Sequence, residues 1–520
     1  MHRDDMVRKV REHAEQHKPW DIAVIGGGAT GMGVAVDAAA RGLDIVLIEG
    51  HDFGKGTSSR STKLVHGGVR YLEQGNVPLV MSALKERGLL RQNAPHLVHD
   101  LAFVVPNYSW WEAPFYGIGL KLYDLLAGKY GFGASKLLSK EETLERLPAL
   151  EPEELRGGVI YFDGQFDDAR LLIHLAMTAA DHGATLLNYC PATGLLRDAE
   201  GYINGVTARD EETGETMTIS ARIVVNATGV FTDSIRRMAD AAAEQLVVTS
   251  QGIHLVFDRS FLKGDTALMV PRTPDGRVLF VIPWHGHAVA GTTDTPLDAP
   301  SLEPRPLDEE IEFILETAGR YLSRPPTRAD VLAVYVGLRP LVKGEGKTSA
   351  LSRDHVIHVD TSGLLTITGG KWTTYRHMAE DCVDHAITLG RLHDEPCPTR
   401  NLRIHGYLQD SSALGELDVY GSDAAEIRAL AKNPKLAMQL HPALPYIAAE
   451  VVWAARNEMA RTVEDILARR TRALFLNAAA ASTMAEPVAK LLAAELGYDA
   501  AWVTAQVNDF QVLAQQYRVV

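Results

Sequence analysis

The chain has 520 residues, of which 46% are hydrophobic and 23% charged. That is an ordinary globular balance, with apolar material for two or three domains. The net charge of −14 argues against a nucleic-acid-binding surface, which needs a basic surplus. Cys190, Cys382 and Cys397 are far apart and form no CxxC pair, so they suggest neither a disulfide framework nor a zinc site and read as thiols of a reducing compartment.

Residues 1–18 are expected to form a short polar helix with Met6, Val7, Val10 and Ala14 on one stripe, ended by Pro19. Met1–Trp20 lacks the apolar core of a secretory signal. No apolar run reaches the ~18 residues needed to cross a bilayer, so contact with a membrane would be made from its surface. Asp21–Ile25 then reads as a buried strand. It enters Gly26-Gly27-Gly28-Ala29-Thr30-Gly31 and an alanine-rich helix to Arg41, with Gly42 as its stop. Leu43–Ile48 reads as a second strand ending at Glu49, which completes a βαβ unit.

Further along, 174–182 is predicted helical and 221–227 a strand. Strand patterns dominate 245–345, at 252–257, 277–283 and 288–291, punctuated by Pro and Gly. A strand at 364–368 precedes a helix from Thr373. After about residue 400 the pattern is helical, at 446–461, 463–475 and 486–496. The expected class is α/β (α+β). A discontinuous Rossmann-type domain would be assembled from 21–100, 155–230 and 350–395, with 1–20 as an extension. A strand-rich cap would come from 101–154 and 231–349, and a helical domain from 400–520.

The glycine motif carries the first functional signal. Gly26 permits the tight turn, Gly28 lets backbone approach a pyrophosphate, and Gly31 lets helix pack on strand. The helix N-terminus at Ala29 and Thr30 offers free N–H groups to phosphate. Glu49 is placed to accept from ribose hydroxyls, and its charge disfavours a 2′-phosphate. The motif alone fits any dinucleotide. A flavin stays bound, so remote segments must enclose it, and three candidates exist. Thr57–Lys63 offers hydroxyls and cations, including Thr57, Ser58, Ser61 and Lys63. Thr228-Gly229 ends a strand. Gly370-Lys371 precedes a helix whose N-terminus suits negative charge. Each is equally compatible with a Ser/Thr loop, a strand-end turn or a helix cap.

Taken together these stretches resemble the FAD-dependent glycerol-3-phosphate dehydrogenase family. The similarity lies in IGGGATGMGVAVDAAARG, TSSRSTKLVHGGVRYLE, the NATG segment, VIPWHGHAVAGTTDT, VGLRPL and TITGGKWTTYR. It covers roughly 21–400 and continues into the helical C-terminal part. The resemblance implies a D-amino-acid-oxidase-like arrangement of the substrate domain and noncovalent FAD, with Leu64, His66, Gly67, Trp372 and Thr373 added to the cofactor contacts. It implies sn-glycerol 3-phosphate as substrate, dihydroxyacetone phosphate as product and membrane quinone as acceptor. It also implies a cytoplasmic protein peripheral on the inner membrane, and it admits a homodimer. The pattern departs from the family at Ser250–His254 and in the pair Trp110-Trp111.

Oxidising a secondary alcohol needs a base, an orienting cation and a phosphate clamp. With the resemblance in hand, His254 is the candidate base, on an alternating strand and opposite in direction to Ile253 and Leu255. Arg339 and Lys371 are candidates to stabilise charge at the reacting oxygen or on the flavin. Arg70, Tyr71 and Arg353 are candidate substrate contacts. Each also has a structural reading as a strand histidine or a surface ion pair. Arg469, Arg470 and Arg472 beside Leu474-Phe475-Leu476 read either as an interfacial membrane patch or as an ordinary amphipathic helix. Oxygen as acceptor, and another hydroxy or amino acid as substrate, remain open on these residues.

Overall fold

A computed structural model describes residues 1–68, 76–109, 112–273, 276–344 and 354–519, with only the backbone of 113–115. Arg70, Tyr71, Arg353 and the Trp110-Trp111 pair lie outside the described residues.

The first sheet runs in the order His355–Val359, Leu365–Gly369, Thr216–Asn226, Trp20–Ile25, Ile45–Ile48, Thr185–Leu187. All neighbours from Leu365–Gly369 onward are parallel; Ile22, for example, lies between Ile223 and Ile45. Helices cover both faces of such a sheet, so its strands are continuous apolar runs. Ile22, Val24, Ile45 and Leu47 are fully buried. Thr216–Asn226 shows the transition within one strand. Its first half alternates buried and exposed where it pairs antiparallel with Ile203–Arg209. Its last four residues are all buried where it enters the parallel sheet.

Helix Ala29–Ala40 follows the first strand and ends at Gly42, whose φ of +79° an L side chain rarely adopts. It packs on helix Tyr375–Gly390 through Gly33, where a Cβ would come within 3.0 Å of the Tyr375 ring. In the N-terminal helix Arg3–Glu15, Met6, Val7 and Val10 are buried as the stripe predicts. Ala14 is exposed. The buried inner turn is occupied instead by Arg3, ion-paired to Asp210 at 2.7 Å.

The second sheet is mostly antiparallel. Its order is Thr295–Leu297, Val247–Asp258, His287–Gly291, Leu279–Trp284, Thr266–Val270, Val98–Asn107, Gly157–Phe166, Leu64–Val65. Val331–Val342 lies along the other edge of Val247–Asp258. This corrects the expected domain limits. Gly157–Phe166 and Leu64–Val65, expected in the dinucleotide domain, both pair within the second sheet. Strand periodicity carries no information about which sheet a strand joins.

The C-terminal part contains helices Ala424–Leu430, Ala448–Asn457, Ala478–Leu496 and Ala500–Gln515, with a hairpin of Gln439–His441 and Leu444–Ile447. The helix expected at 463–475 is instead a π-turn, Asp465–Arg470, and a short helix, Ala473–Leu476, separated by Arg472 at φ +65°. In that wide turn the consecutive Arg469 and Arg470 both reach the carboxylate of Asp52, and Arg472 reaches Asp168 at 3.0 Å. All three arginines and Leu474, Phe475 and Leu476 are buried. The membrane-patch reading of this segment is therefore wrong. It is a buried seam whose arginines tie the C-terminal domain to Asp52 and Asp168 and whose apolar residues pack with Tyr335 and Trp284 of the second sheet. Among the described residues no helix is long and apolar enough to cross a membrane.

Candidate functional site

Two cavities adjoin at the C-terminal ends of the parallel strands. The first, of about 450 Å³, is lined by Gly26, Gly28, Ala29, Thr30, Glu49, Ser58, Thr228 and Gly229 among others. The second, of about 350 Å³, lies under the antiparallel sheet. Thr57, Pro340, Gly370, Lys371 and Trp372 line both, so the two are continuous.

The first cavity has the shape the glycines impose. A Cβ on Gly26, at φ +113°, would lie 2.7 Å from Ala227 O, and one on Gly31 would lie 2.0 Å from Gly26 O. Strand, turn and helix thus approach more closely than any side chain allows. Ser58 Oγ accepts from Ala29 N at 2.9 Å. Glu49 accepts from Gly27 N at 2.7 Å and from His51 N at 2.9 Å. Burial pushes its carboxyl pKa up despite those bonds. Trp372 Nε1 donates to Ser58 O at 2.8 Å and His66 N to Thr373 Oγ1 at 3.3 Å. These bonds tie 372–373 to the 57–66 segment.

The residues fit a flavin dinucleotide. A backbone cradle that any Cβ would fill faces a helix N-terminus, an acid stands at the end of the second strand, and the space continues past Lys371 into a second chamber.

The second chamber holds the chemistry. His254 is 3% exposed, its ring stacked on Tyr335 at 4.7 Å and its Nε2 2.8 Å from Thr62 Oγ1. Its Nδ1 has no hydrogen-bond partner among the described residues. Burial first, then the charges of Lys63 and Arg339, hold its pKa well below the ordinary imidazole value. Arg339 is fixed by Gln251 O at 3.1 Å, Thr293 O at 2.9 Å, Thr292 Oγ1 at 3.2 Å and Asp294 at 3.3 Å. Lys371 stands where the chambers meet, and Arg277 lines the second. His66 also lines it, and burial and the nearby Lys371 and Arg87 depress its pKa to about 3.

Residues 21–376 match the family model described as FAD dependent oxidoreductase, and 365–503 match that of the C-terminal domain of alpha-glycerophosphate oxidase. The chain is 42% identical over 523 residues to a probable mitochondrial glycerol-3-phosphate dehydrogenase of Caenorhabditis elegans, covering 94% of this chain and 72% of that protein. It is 41% identical to the human mitochondrial glycerol-3-phosphate dehydrogenase, covering 92% and 71%. The chain belongs to the FAD-dependent glycerol-3-phosphate dehydrogenase family. Its fold matches that of the glycerol-3-phosphate dehydrogenase from Bacillus halodurans, solved with FAD, at a TM-score of 0.80 and 32% identity, covering 99% and 97% of the two chains. Its cofactor is FAD.

Within that family fold, most sequence-predicted residues lie together. Leu64, Ser61, His66 and Thr373 line the second chamber with His254 and Arg339. Three expected cofactor contacts do not line either chamber. Gly31 acts through helix–strand packing. Gly67 is closed in by Leu84 and Tyr123, and its N–H donates to Tyr123 Oη at 2.8 Å. Lys63 is fully buried, ion-paired to Asp168 at 2.7 Å and within 4.9 to 5.5 Å of the Tyr335, Trp284 and Phe475 ring centres. Burial brings its pKa down to about 7, opposed by Asp168. Sequence reasoning missed Arg277, Asp294 and the role of Thr62. Thr62 sits inside a segment already singled out. Arg277 follows a Pro/Gly-rich turn with no local pattern to mark it.

Proposed function

We propose that this chain oxidises sn-glycerol 3-phosphate at C2 to dihydroxyacetone phosphate and passes the electrons to a quinone dissolved in a membrane. The observation that supports this best is the second chamber itself. A buried imidazole lies with Arg277, Arg339 and Lys371 around one small cavity, in a protein whose net charge is −14. A pocket that concentrates positive charge against that background suits a dianionic phosphate ester. The names of relatives at 41–42% identity point the same way.

Gly26, Gly28, Glu49, Ser58 and Thr228 would hold the FAD nucleotide, and Gly370-Lys371 would lie at its redox end. When bound, FAD supplies a two-electron acceptor for the hydride that leaves carbon. The protein residues handle the proton and the charge. His254 is neutral at physiological pH because its pKa is depressed, so its ring can take the hydroxyl proton, and Thr62 at Nε2 and Tyr335 on its face fix its orientation. Arg339, immobilised by Gln251, Thr292, Thr293 and Asp294, stabilises negative charge as it grows on the alcohol oxygen. Arg277 and Lys371 clamp the phosphate.

The test is an anaerobic titration of the FAD-loaded protein with sn-glycerol 3-phosphate, followed by flavin absorbance. Bleaching supports the substrate assignment. No bleaching, in a protein that dithionite reduces, would overturn it. Reoxidation by a quinone analogue without stoichiometric hydrogen peroxide supports the acceptor; peroxide formed in proportion to substrate would point to oxygen.

A further inference from the structure

Segment His66-Gly67-Gly68 is held from two sides. On one side His66 N donates to Thr373 Oγ1 at 3.3 Å. On the other, Gly67 N donates to Tyr123 Oη at 2.8 Å. His66 and Gly68 line the second chamber, whereas Gly67, between them, is closed in from behind. A Cβ on Gly67 would lie 2.5 Å from Tyr123 Oη and 2.5 Å from Leu84 Cδ2, so the backbone itself is seated against these groups.

The bond at Gly67 is the end of a longer chain. Tyr123 Oη donates to Asp163 Oδ2 at 2.8 Å, and Arg87 Nη1 donates to Asp163 Oδ1 at 2.6 Å. Arg87 Nη2 donates to Tyr130 O at 3.0 Å, and the guanidinium lies 4.1 Å from the centre of the Phe132 ring. Arg87, Tyr123 and Asp163 come from helix Val77–Asn93, helix Glu112–Ala127 and strand Gly157–Phe166, and all three are buried. With its proton committed to Asp163, the Tyr123 hydroxyl can only accept from Gly67. Buried polar groups linked in this way favour one arrangement, because any other leaves a partner unpaired.

Asp163 needs a reason to be where it is. It lines the second chamber, where a bare carboxylate would repel a dianionic substrate. Burial pushes its pKa up, opposed by Arg87 and the Tyr123 hydroxyl. Its two oxygens are turned to Arg87 and Tyr123, neither of which lines the chamber.

We infer that Arg87, Asp163 and Tyr123 are positioning residues: one hydrogen-bonded chain that fixes Gly67 from behind and so sets where His66 and Gly68 stand in the chamber wall beside Thr373. They act through the backbone of 66–68 rather than by contact with the substrate. The inference rests on the reading above that the oxidation takes place in this chamber, and it names residues that govern its rate from outside.

The experiment compares the FAD-loaded full chain as wild type, Tyr123→Phe, Asp163→Asn, the double variant and Tyr420→Phe. The last is a control. Tyr420 makes the same kind of buried bond, to Glu450 at 3.0 Å, but lines neither chamber, so its loss should weaken the fold and leave the flavin alone. The visible spectrum of the bound flavin, the rate at which sn-glycerol 3-phosphate bleaches it, and KM are measured. Tyr123→Phe keeps the ring and removes only the oxygen. It should shift the flavin absorbance band and slow bleaching by about tenfold to a hundredfold. KM should move by less than about twofold, because Arg277, Arg339 and Lys371 are untouched. Asp163→Asn should act the same way, and the double variant should be no slower than the slower single one, since either change breaks the one chain. A wild-type spectrum and rate in Tyr123→Phe, effects that add in the double variant, or a control that changes as much as Tyr123→Phe would each overturn the inference. If sn-glycerol 3-phosphate does not bleach wild type, the substrate reading fails by itself. The spectra, which need no substrate, then decide for the chain if the band shifts in Tyr123→Phe and against it if the band does not.

Discussion

Gly252 and Arg339 sit so close that a Cβ at position 252 would lie 2.3 Å from Arg339 Nη2. The two residues lie diagonally across paired strands, Gly252 opposite Gly337 and Arg339 opposite Ser250. The missing side chain at 252 is the space in which the guanidinium lies. Gly252→Ala should push Arg339 out of its contacts with Thr292 and Thr293. A displacement of about 1 Å should lower kcat/KM by about a hundredfold. Added volume here should also cost about 1–3 kcal/mol of stability. Steady-state kinetics and thermal unfolding measure the two effects; an unchanged kcat/KM would show that Arg339 does not position the reacting group.

His254 gives a prediction about pH. Its pKa is depressed by burial, Lys63 and Arg339, so it stays unprotonated through the range in which a free imidazole gains its proton. The kcat profile should therefore show no acidic limb near the ordinary histidine value of about 6.5; the limb belongs at distinctly lower pH. His254→Ala should lower kcat by about 10²–10⁴-fold. Thr62→Val, which removes the partner at Nε2, should lower kcat less and leave KM little changed. A limb close to the free-imidazole value would mean that the ring is not held in this environment.

The same physics makes stability depend on pH. His66 and His96 have pKa values depressed to about 3, and His174 and His254 lie well below their ordinary value, in each case mainly through burial. In the unfolded chain each binds a proton near pH 6.5. Below that pH the unfolded state holds more protons, so the native state loses about 1.4 kcal/mol per pH unit for each such histidine as pH falls toward 3. His405 behaves oppositely. Its bonds to Asp181 and Asp423 outweigh burial and raise its pKa to about 9. Its contribution is complete below pH 6.5 and is lost as pH rises through 9. Urea midpoints of the FAD-loaded protein should fall on both sides of neutrality, more steeply on the acid side; a flat acid side would refute the burial of these rings.

Much of the site is legible in the sequence because local patterns carry it. Gly26, Gly28 and Gly31 announce a turn, a close approach and a packing contact, and Glu49 sits where the βαβ spacing places it. His254 is marked by strand alternation, although the stretch around it departs from the family pattern. The remainder depends on long-range pairing, which has no local signal. Lys63 looks like a cofactor cation until Asp168, more than a hundred residues away, is seen to neutralise it at 2.7 Å. Arg469, Arg470 and Arg472 look like a basic surface until Asp52 and Asp168 bury them. Charge without a visible partner reads as surface, and here the partners lie in another domain.

Asp168 is the carboxylate at which Lys63 and Arg472 meet. Its carboxylate accepts from Ser61 N at 2.9 Å, Ser61 Oγ at 2.7 Å, Lys63 Nζ at 2.7 Å and Arg472 Nη2 at 3.0 Å. Ser61 is half-buried at the chamber wall, Arg472 is buried, and Lys63 and Asp168 are fully buried. Asp168→Asn keeps the size of the side chain but removes the only carboxylate bonded to Lys63 among the described residues and offers an amide to two cations. Removing one partner of a buried pair costs about 3–5 kcal/mol, so the denaturant midpoint should drop with the slope unchanged. Lys63, already brought to about 7 by burial, should then lose its proton at neutral pH, and the defect should deepen as pH falls and the lysine is forced to charge. Lys63→Met in the Asp168→Asn background should recover part of the loss, because it removes the orphaned cation while keeping an apolar chain among the rings of Trp284, Tyr335 and Phe475. If the double variant is as unstable as the sum of the two single ones, the carboxylate is held there for Ser61 and Arg472 rather than for Lys63.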